Sequence, residues 1–191
     1  MIVQNSRGEQ IDARIVRSRA AMRQALLALL AEMPLEAITG ASIAERAGIG
    51  YATFFRHYAD VRAVLVDAVA TVTDDLAQGM MPALLAADSG GAAAALIHAV
   101  AARRSVFLAL LAGAGDALRA ELARQVIARV AALPDLSPSW LPRRLAMRVA
   151  VMGTIELLDW WLREAPETDP AEVAALLDRL VIARLAEDAP G

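Results

Sequence analysis

Apolar residues recur three and four positions apart along almost the whole chain, and this spacing predicts an all-α protein of about nine helices. The first helix is predicted from about Asp12 to Glu32. The others are predicted at about 42–48, 51–58, 60–78, 92–103, 104–112, 115–133, 140–165 and 170–186. Residues 1–11 are polar, and we expect them to be disordered in the free protein.

Glycine and proline residues mark the expected ends of these helices. Gly79 and Pro82 are expected to end the fourth helix, and the DSGG segment at 88–91 is expected to form a flexible connection. Further breaks are expected at 113–115, Pro134, Pro138 and Pro142. The clearest boundary has Asp169 as a cap and Pro170 at the first position of the last helix.

The most specific local pattern lies between residues 42 and 62. Ser42 can cap a short helix, and Glu45 can reach back to the backbone N–H of Ser42, as in a capping box. Gly48 follows where a left-handed residue ends a helix without strain. The first element of this stretch is therefore a helix of about two turns.

A second short helix follows at once, from about Tyr51 to Tyr58. Phe54 and Tyr58 lie four positions apart, so both can be buried on one face, and Asp60 can cap the next helix. Two short helices joined by a glycine-containing turn indicate a helix-turn-helix. The second helix of such a motif enters the major groove of DNA.

The sequence of this stretch, AGIGYATFFRHYAD, resembles the DNA-binding domain of the tetracycline-repressor (TetR) family. The family pattern is A-G-V-S-x-x-T-[LF]-Y-x-H-F. The matching positions here are Ala47, Gly48, Ile49, Thr53, Phe54, His57 and Tyr58. The resemblance implies a DNA-binding transcription regulator, in which His57 lies against phosphate.

Three positions depart from the family pattern. Gly50 replaces a serine, Phe55 replaces a tyrosine, and Val61 replaces the lysine that opens the fourth helix. In the family, that tyrosine hydroxyl and that lysine contact DNA phosphates. Arg56 and Arg62 adjoin the altered positions and are the candidates to replace those contacts.

The net charge of −3 is unevenly distributed between the two parts of the chain. Up to residue 62, eight arginines face six acids, whereas the remaining eleven arginines face sixteen acids. The first predicted helix carries an arginine cluster without an intervening acid, formed by Arg14, Arg17, Arg19 and Arg23. Local positive charge suits phosphate binding, while the alternative is an ordinary solvated helix face.

The resemblance implies a helix-turn-helix DNA-binding domain over residues 1–60 and a helical ligand-binding and dimerisation domain over residues 61–191. Between residues 145 and 162, apolar side chains occur on nearly every face of the predicted helix, which indicates burial all round. The last two long helices, at about 140–165 and 170–186, would pack against the same pair from a second copy and form the four-helix interface of a homodimer. The alternative is that these side chains pack within one chain.

Candidate site residues follow from these patterns and from the resemblance. The DNA-binding candidates are Arg14, Arg17, Ser42, Gly50, Tyr51, Ala52, Thr53, Phe55, Arg56, His57 and Arg62. Tyr51, Ala52 and Thr53 open the second helix of the motif, where side chains face base edges, and Tyr51 is expected to read sequence. The candidates for an apolar ligand cavity are His98, Phe107, Leu110, Leu111, Met147, Met152 and Trp160. The alternative for the latter set is an ordinary core.

Enzymatic chemistry has no support in the sequence. There are two histidines, no cysteine and no glycine-rich phosphate loop, so we expect no metal, no cofactor and no catalytic site. The absence of an apolar signal segment or of an uncharged run of about 18 residues favours a cytoplasmic location without a membrane anchor.

These observations together predict a homodimeric transcription regulator. It would be a repressor that binds a palindromic operator in double-stranded DNA and is released by a small apolar effector. The alternative is a helical small-molecule-binding protein that has lost DNA recognition, which the departures at Gly50, Phe55 and Val61 favour.

Overall fold

The computed structural model describes residues 5–112, 116–131 and 140–183. Within these ranges the chain forms nine α-helices and no strand, which confirms the all-α prediction. The helices are α1 (Asn5–Leu30), α2 (Gly40–Arg46), α3 (Tyr51–His57), α4 (Val61–Leu85), α5 (Ser89–Ala102), α6 (Arg104–Ala112), α7 (Asp116–Val130), α8 (Arg143–Arg163) and α9 (Pro170–Leu177). A 3₁₀ turn (Leu35–Ala37) precedes α2, and a π-helical segment (Asp178–Ile182) continues α9.

The chain divides into two compact units, Met1–Ala68 and Val69–Gly191. The division falls within α4, so the first turns of α4 belong to the N-terminal unit. The loop before α4, where the sequence places the domain boundary, lies inside that unit.

The core of the N-terminal unit is built by α1, α2, α3 and the start of α4. Its fully or almost fully buried side chains include Met22, Leu26, Ile43, Phe54, Tyr58 and Val64. The burial of Phe54 and Tyr58 confirms the face predicted from their spacing. Ile38, in the segment between α1 and α2, is also buried, whereas Leu35 in the same segment is only half-buried.

The cap of α2 differs from the prediction. Thr39, not Ser42, is the N-cap: its Oγ1 accepts a hydrogen bond from the Ser42 N–H at 3.1 Å, and Ser42 Oγ accepts one from the Thr39 N–H at 3.0 Å. The helix can begin three residues earlier because Gly40 fits beneath Phe54. A Cβ at Gly40 would lie 2.8 Å from Phe54 Cε1.

The end of α2 and the start of α4 agree with the prediction. Gly48 has a φ of +65°, and its N–H donates to the carbonyl of Glu45 at 3.1 Å. The Ile49 N–H donates to the carbonyl of Ala44 at 2.9 Å, which completes a Schellman motif. At the start of α4, the Asp60 carboxylate accepts a hydrogen bond from the backbone N–H of Ala63 at 2.7 Å.

Three predicted irregular segments are helical instead. The first helix begins at Asn5, so the expectation of disorder is wrong for residues 5–11. Extending an existing helix adds one hydrogen bond for each residue that is fixed, and polar residues do not prevent it.

The fourth helix continues through Gly79 and Pro82 to Leu85. Pro82 lies in the last turn, where its missing N–H removes one hydrogen bond shortly before the helix ends.

The DSGG segment is likewise not a flexible connection. Asp88 is the N-cap of α5, and its carboxylate accepts a hydrogen bond from the Gly91 N–H at 2.8 Å. The clear boundary before α9 is confirmed, since the Asp169 carboxylate accepts from the Ala171 N–H at 2.7 Å and Pro170 opens the helix. Of the remaining predicted breaks, 113–115, Pro134 and Pro138 lie outside the described residues, and Pro142 precedes α8.

The C-terminal unit has its own core, formed mainly by α5, α6, α8 and α9. Its most deeply buried side chains include Ile97, Val100, Trp161, Val173 and Leu177. Among the described residues, no helix by itself has the length and apolarity to cross a bilayer; α5 and α6 reach them only together, with an 89° bend between them.

Candidate nucleic-acid interface

The short helix α3 is anchored on one side and open on the other. Phe54 is fully buried and Tyr58 nearly so, which fixes the rotation of the helix about its axis. Gly50 adopts an extended conformation as its N-cap and carries no side chain that would cover the first turn. Tyr51 and Phe55 are therefore presented to solvent, with 57% and 53% of their surface exposed.

A cleft of about 680 Å³ lies between α3 and α1. Its walls come from α1, from the turn after α2 and from α3. The lining residues are Arg14, Ile15, Ser18, Gly48, Ile49, Gly50, Thr53, Arg56 and His57. Five of the predicted DNA-binding residues are thereby brought together across a separation of more than thirty positions in sequence. The cleft carries positive charge from both walls, through Arg14 and Arg56.

The remaining predicted residues lie around this cleft. Tyr51, Ala52 and Phe55 are on the exposed side of α3, and Arg17 is exposed on α1, where its Nε donates to the Ala13 carbonyl at 3.2 Å. Ser42 is half-buried in the first turn of α2, with its hydroxyl engaged with Thr39. Arg62 is exposed at the start of α4.

The arginine cluster is divided by a carboxylate that the sequence pattern did not reveal. Arg23 Nη1 donates to Asp67 Oδ2 at 2.8 Å, and the Tyr58 hydroxyl donates to the same oxygen. Arg19 lies over the Tyr58 ring, with its guanidinium carbon 5.1 Å from the ring centroid. Arg23 therefore connects α1 to α4, and Arg19 connects α1 to Tyr58 at the end of α3. Among the described side chains, none forms an ion pair with Arg14 or Arg17.

The protonation of this cluster follows from its contacts. Burial by itself would raise the pKa of Asp67, but hydrogen bonds from Tyr58 and Arg23 outweigh it and hold that pKa below its ordinary value. Burial and the hydrogen bond to Asp67 raise the pKa of Tyr58. At neutral pH, a carboxylate thus accepts from a neutral phenol and a guanidinium. The only signal for it was an aspartate in the otherwise apolar stretch AVLVDAVA.

His57 is biased towards its neutral form. Burial lowers its pKa, and the positive charges of Arg56 and Arg19 lower it further. A neutral imidazole still has one N–H to donate to an anion, and an approaching phosphate would favour the protonated form. The cleft therefore combines the permanent charge of its arginines with an imidazole whose pKa is lowered in the free protein.

Comparison with known proteins identifies the fold of this chain through solved structures. No protein-family model matches the sequence, and no curated protein is significantly similar to it. Solved structures do match. A putative TetR-family regulator from Shewanella sp. PV-4 superimposes with a TM-score of 0.65 at 14% identity, covering 89% of this chain and 98% of that chain. The chain has the fold of TetR-family transcription regulators.

Other structures with the TetR fold are equally extensive matches. The regulator FadR from Bacillus subtilis, in complex with stearoyl-CoA, has a TM-score of 0.63 at 14% identity, with 86% of this chain and 97% of that chain covered. A TetR regulator from Streptococcus agalactiae has a TM-score of 0.61 at 17% identity, with coverages of 92% and 99%. These neighbours are themselves transcription regulators.

The residues predicted to line a ligand cavity lie at different depths of the C-terminal unit of this TetR fold. Phe107, Leu110 and Leu111 are buried on α6, and Phe107 and Leu111 belong to the core against which Trp160 packs. Met147 is half-buried. His98 and Met152 are exposed, and His98 Nδ1 lies 2.8 Å from the Ala94 carbonyl oxygen of its own helix.

Helix α8 is not buried all round within one chain of the TetR fold. Leu145, Val149 and Met152 are about half-exposed, and they lie four and three positions apart on one side of the helix. We call this set the apolar stripe. Leu180, in the π-helical segment after α9, is also exposed. The inner side of α8 supplies Leu158, Trp161 and Leu162 to the core.

Proposed function

We propose that this chain is a ligand-responsive transcription regulator that binds duplex DNA through the cleft and the exposed side of α3. The observation that carries this proposal is that Arg14 on α1 lines the same cleft as Thr53, Arg56 and His57 on α3. Phosphate binding requires positive charge and hydrogen-bond donors at fixed positions, and base reading requires an exposed helix that fits the major groove. The N-terminal unit offers both on one side of α3.

The proposed regulator acts as a homodimer through the apolar stripe of α8. Three large apolar side chains in a row would otherwise remain in water, and a second copy of the same stripe would cover them. A dimer presents two copies of α3, which suits a palindromic operator whose half-sites lie about 34 Å apart.

The proposed effector is a small apolar molecule that binds the C-terminal unit and releases the operator, so the regulator is a repressor. The stearoyl-CoA complex of the Bacillus subtilis neighbour supports an effector with an apolar part. A coupling of about 1–3 kcal/mol between effector and operator would change operator affinity about 5–150-fold. An effector needs only to favour the conformation in which the two copies of α3 miss successive grooves.

Removing one charge beside the cleft tests the proposed DNA face. Arg17→Ala should weaken binding to a selected operator about tenfold and reduce the slope of log affinity against log salt concentration by about 1. The matched control is Arg124→Ala, which removes an exposed arginine from α7 in the C-terminal unit. Fluorescence anisotropy of a labelled duplex at several salt concentrations measures the affinity and its salt dependence for each variant. Equal slopes for the two variants would overturn the assignment of this face.

The titration of His57 predicts the pH dependence of binding. The pKa of His57 is lowered in the free protein, and a phosphate in the cleft would raise it in the complex. The complex then binds an additional proton, so affinity rises as pH falls between these two pKa values, by at most about tenfold per pH unit. His57→Gln keeps an N–H donor but does not titrate. Anisotropy titrations should give a flatter pH profile for this variant, and matching profiles would exclude His57 from the interface.

A further inference from the structure

Three aromatic rings form a continuous ladder from the core of the N-terminal unit to the surface of α3. The buried Phe54 ring meets the Phe55 ring edge-on, with centroids 5.2 Å apart and an interplanar angle of 82°. Phe55 in turn meets Tyr51 edge-on, at 5.0 Å and 88°. Such edge-to-face contacts are favourable, and each ring restricts the rotamer of the next. The two outer rings are therefore held in position although more than half of each is exposed.

The exposed end of this ladder is apolar where phosphate contacts would need polar groups. Phe55 has no hydrogen-bonding group, so it cannot bind a phosphate oxygen or the polar edge of a base. Its ring contacts the Tyr51 ring, and both rings are more than half exposed beside the exposed Ala52. Exposed aromatic side chains that are already ordered lose little conformational entropy when a partner covers them. This surface is thus prepared for an apolar group of a partner.

The positive charges around this surface favour duplex DNA as the partner. Arg56 follows Phe55 directly, and Arg14 faces Arg56 across the cleft. The major groove displays hydrogen-bonding groups from every base pair but only one apolar group, the 5-methyl group of thymine. Apolar side chains on a helix in that groove contact this methyl group.

We infer that Tyr51 and Phe55 form an apolar clamp for the 5-methyl group of a thymine, and that this pair makes one operator position in each half-site specific for thymine. The inference rests on the proposed function and adds the chemical group that is read. Burial of one methyl group corresponds to about a fourfold gain in affinity, and two half-sites give about fifteenfold. The polar residues of the cleft contribute affinity without this preference.

The experiment has two stages. The wild-type protein first selects its operator from a pool of randomised duplexes, and the winning duplex is then prepared with deoxyuridine in place of thymidine, which removes every 5-methyl group. Wild-type affinity should fall about fifteenfold on the uridine duplex, by the estimate of about fourfold per methyl group. Phe55→Ala should bind both duplexes equally. Arg56→Ala, the matched control, should bind both more weakly but keep the wild-type ratio.

The outcomes separate this inference from the function on which it rests. If no sequence is enriched from the pool, the proposed DNA-binding function fails. If an operator is enriched but the wild type binds the thymidine and uridine duplexes equally, the clamp is overturned and the regulator stands. A ratio that persists in Phe55→Ala would assign the effect to DNA shape or to methyl contacts of other side chains, and it would overturn the clamp. Circular dichroism of Phe55→Ala confirms folding, which is expected because the ring is half-exposed.

Discussion

Replacing Phe54 with alanine should lower the free energy of unfolding by about 3–5 kcal/mol and abolish operator binding. The Phe54 ring is fully buried, packs against Tyr58 with centroids 6.4 Å apart, and supports the Phe55 ring. It also fills the space above Gly40, so its removal leaves a cavity between α2 and α3. Without this ring, only Tyr58 of these two buried aromatic side chains would still hold the rotation of α3.

Urea denaturation of the full chain, followed by circular dichroism, measures the stability effect. Phe55→Ala is the matched control, because it removes the same side chain at the adjacent, exposed position. The control loses two edge-to-face ring contacts at a half-exposed position, so it should lower stability by only about 1–2 kcal/mol. Two denaturation curves that coincide for Phe54→Ala and Phe55→Ala would contradict the role of Phe54 as the centre of this core.

Replacing Val149 with aspartate should convert the proposed dimer into monomers and weaken operator binding more than about a hundredfold. Val149 lies in the middle of the apolar stripe, between Leu145 and Met152, and 47% of its surface is exposed in the single chain. In a two-fold interface, each copy would place the new carboxylate against the same apolar stripe. Burial of an unpaired charge costs several kcal/mol for each ion, which exceeds what three apolar side chains contribute.

Sedimentation velocity at several protein concentrations distinguishes monomer from dimer. Leu85→Asp is the matched control, because it introduces the same charge at an apolar residue that is 68% exposed at the end of α4. This variant should sediment like the wild type. A dimer that persists in Val149→Asp would exclude the apolar stripe, and a wild-type chain that is monomeric at all concentrations would exclude the proposed homodimer.

The helix-turn-helix was predictable from sequence because local interactions define it. Gly48 takes the left-handed conformation that the end of α2 requires, and the spacing of Phe54 and Tyr58 sets the buried face of α3. The cap of α2 was placed wrongly because Thr39 and Ser42 are both good capping residues three positions apart. The choice between them depends on the contact between Gly40 and Phe54, which joins two helices.

The chemistry of the candidate interface was only partly predictable. The sequence indicated one cluster of four arginines, yet Arg19 and Arg23 are held by Tyr58 and Asp67. Arg23 and Asp67 are far apart in sequence, and no local pattern relates them. The exposure of Tyr51 and Phe55 was consistent with the predicted helix, but the ordered ladder through Phe54 appears only when the three rings are placed in space.

The sequence by itself determined the all-α class, the position of α3 and the residues of its buried face, because these follow from hydrogen-bonding and hydrophobic spacing within a few turns of chain. Tertiary structure alone decided that Arg19 and Arg23 are held by Tyr58 and Asp67, that α4 continues through Pro82, and that one side of α8 is left exposed in the single chain. Those properties depend on which side chains from distant segments meet, and the energy of such contacts is set by packing rather than by local pattern.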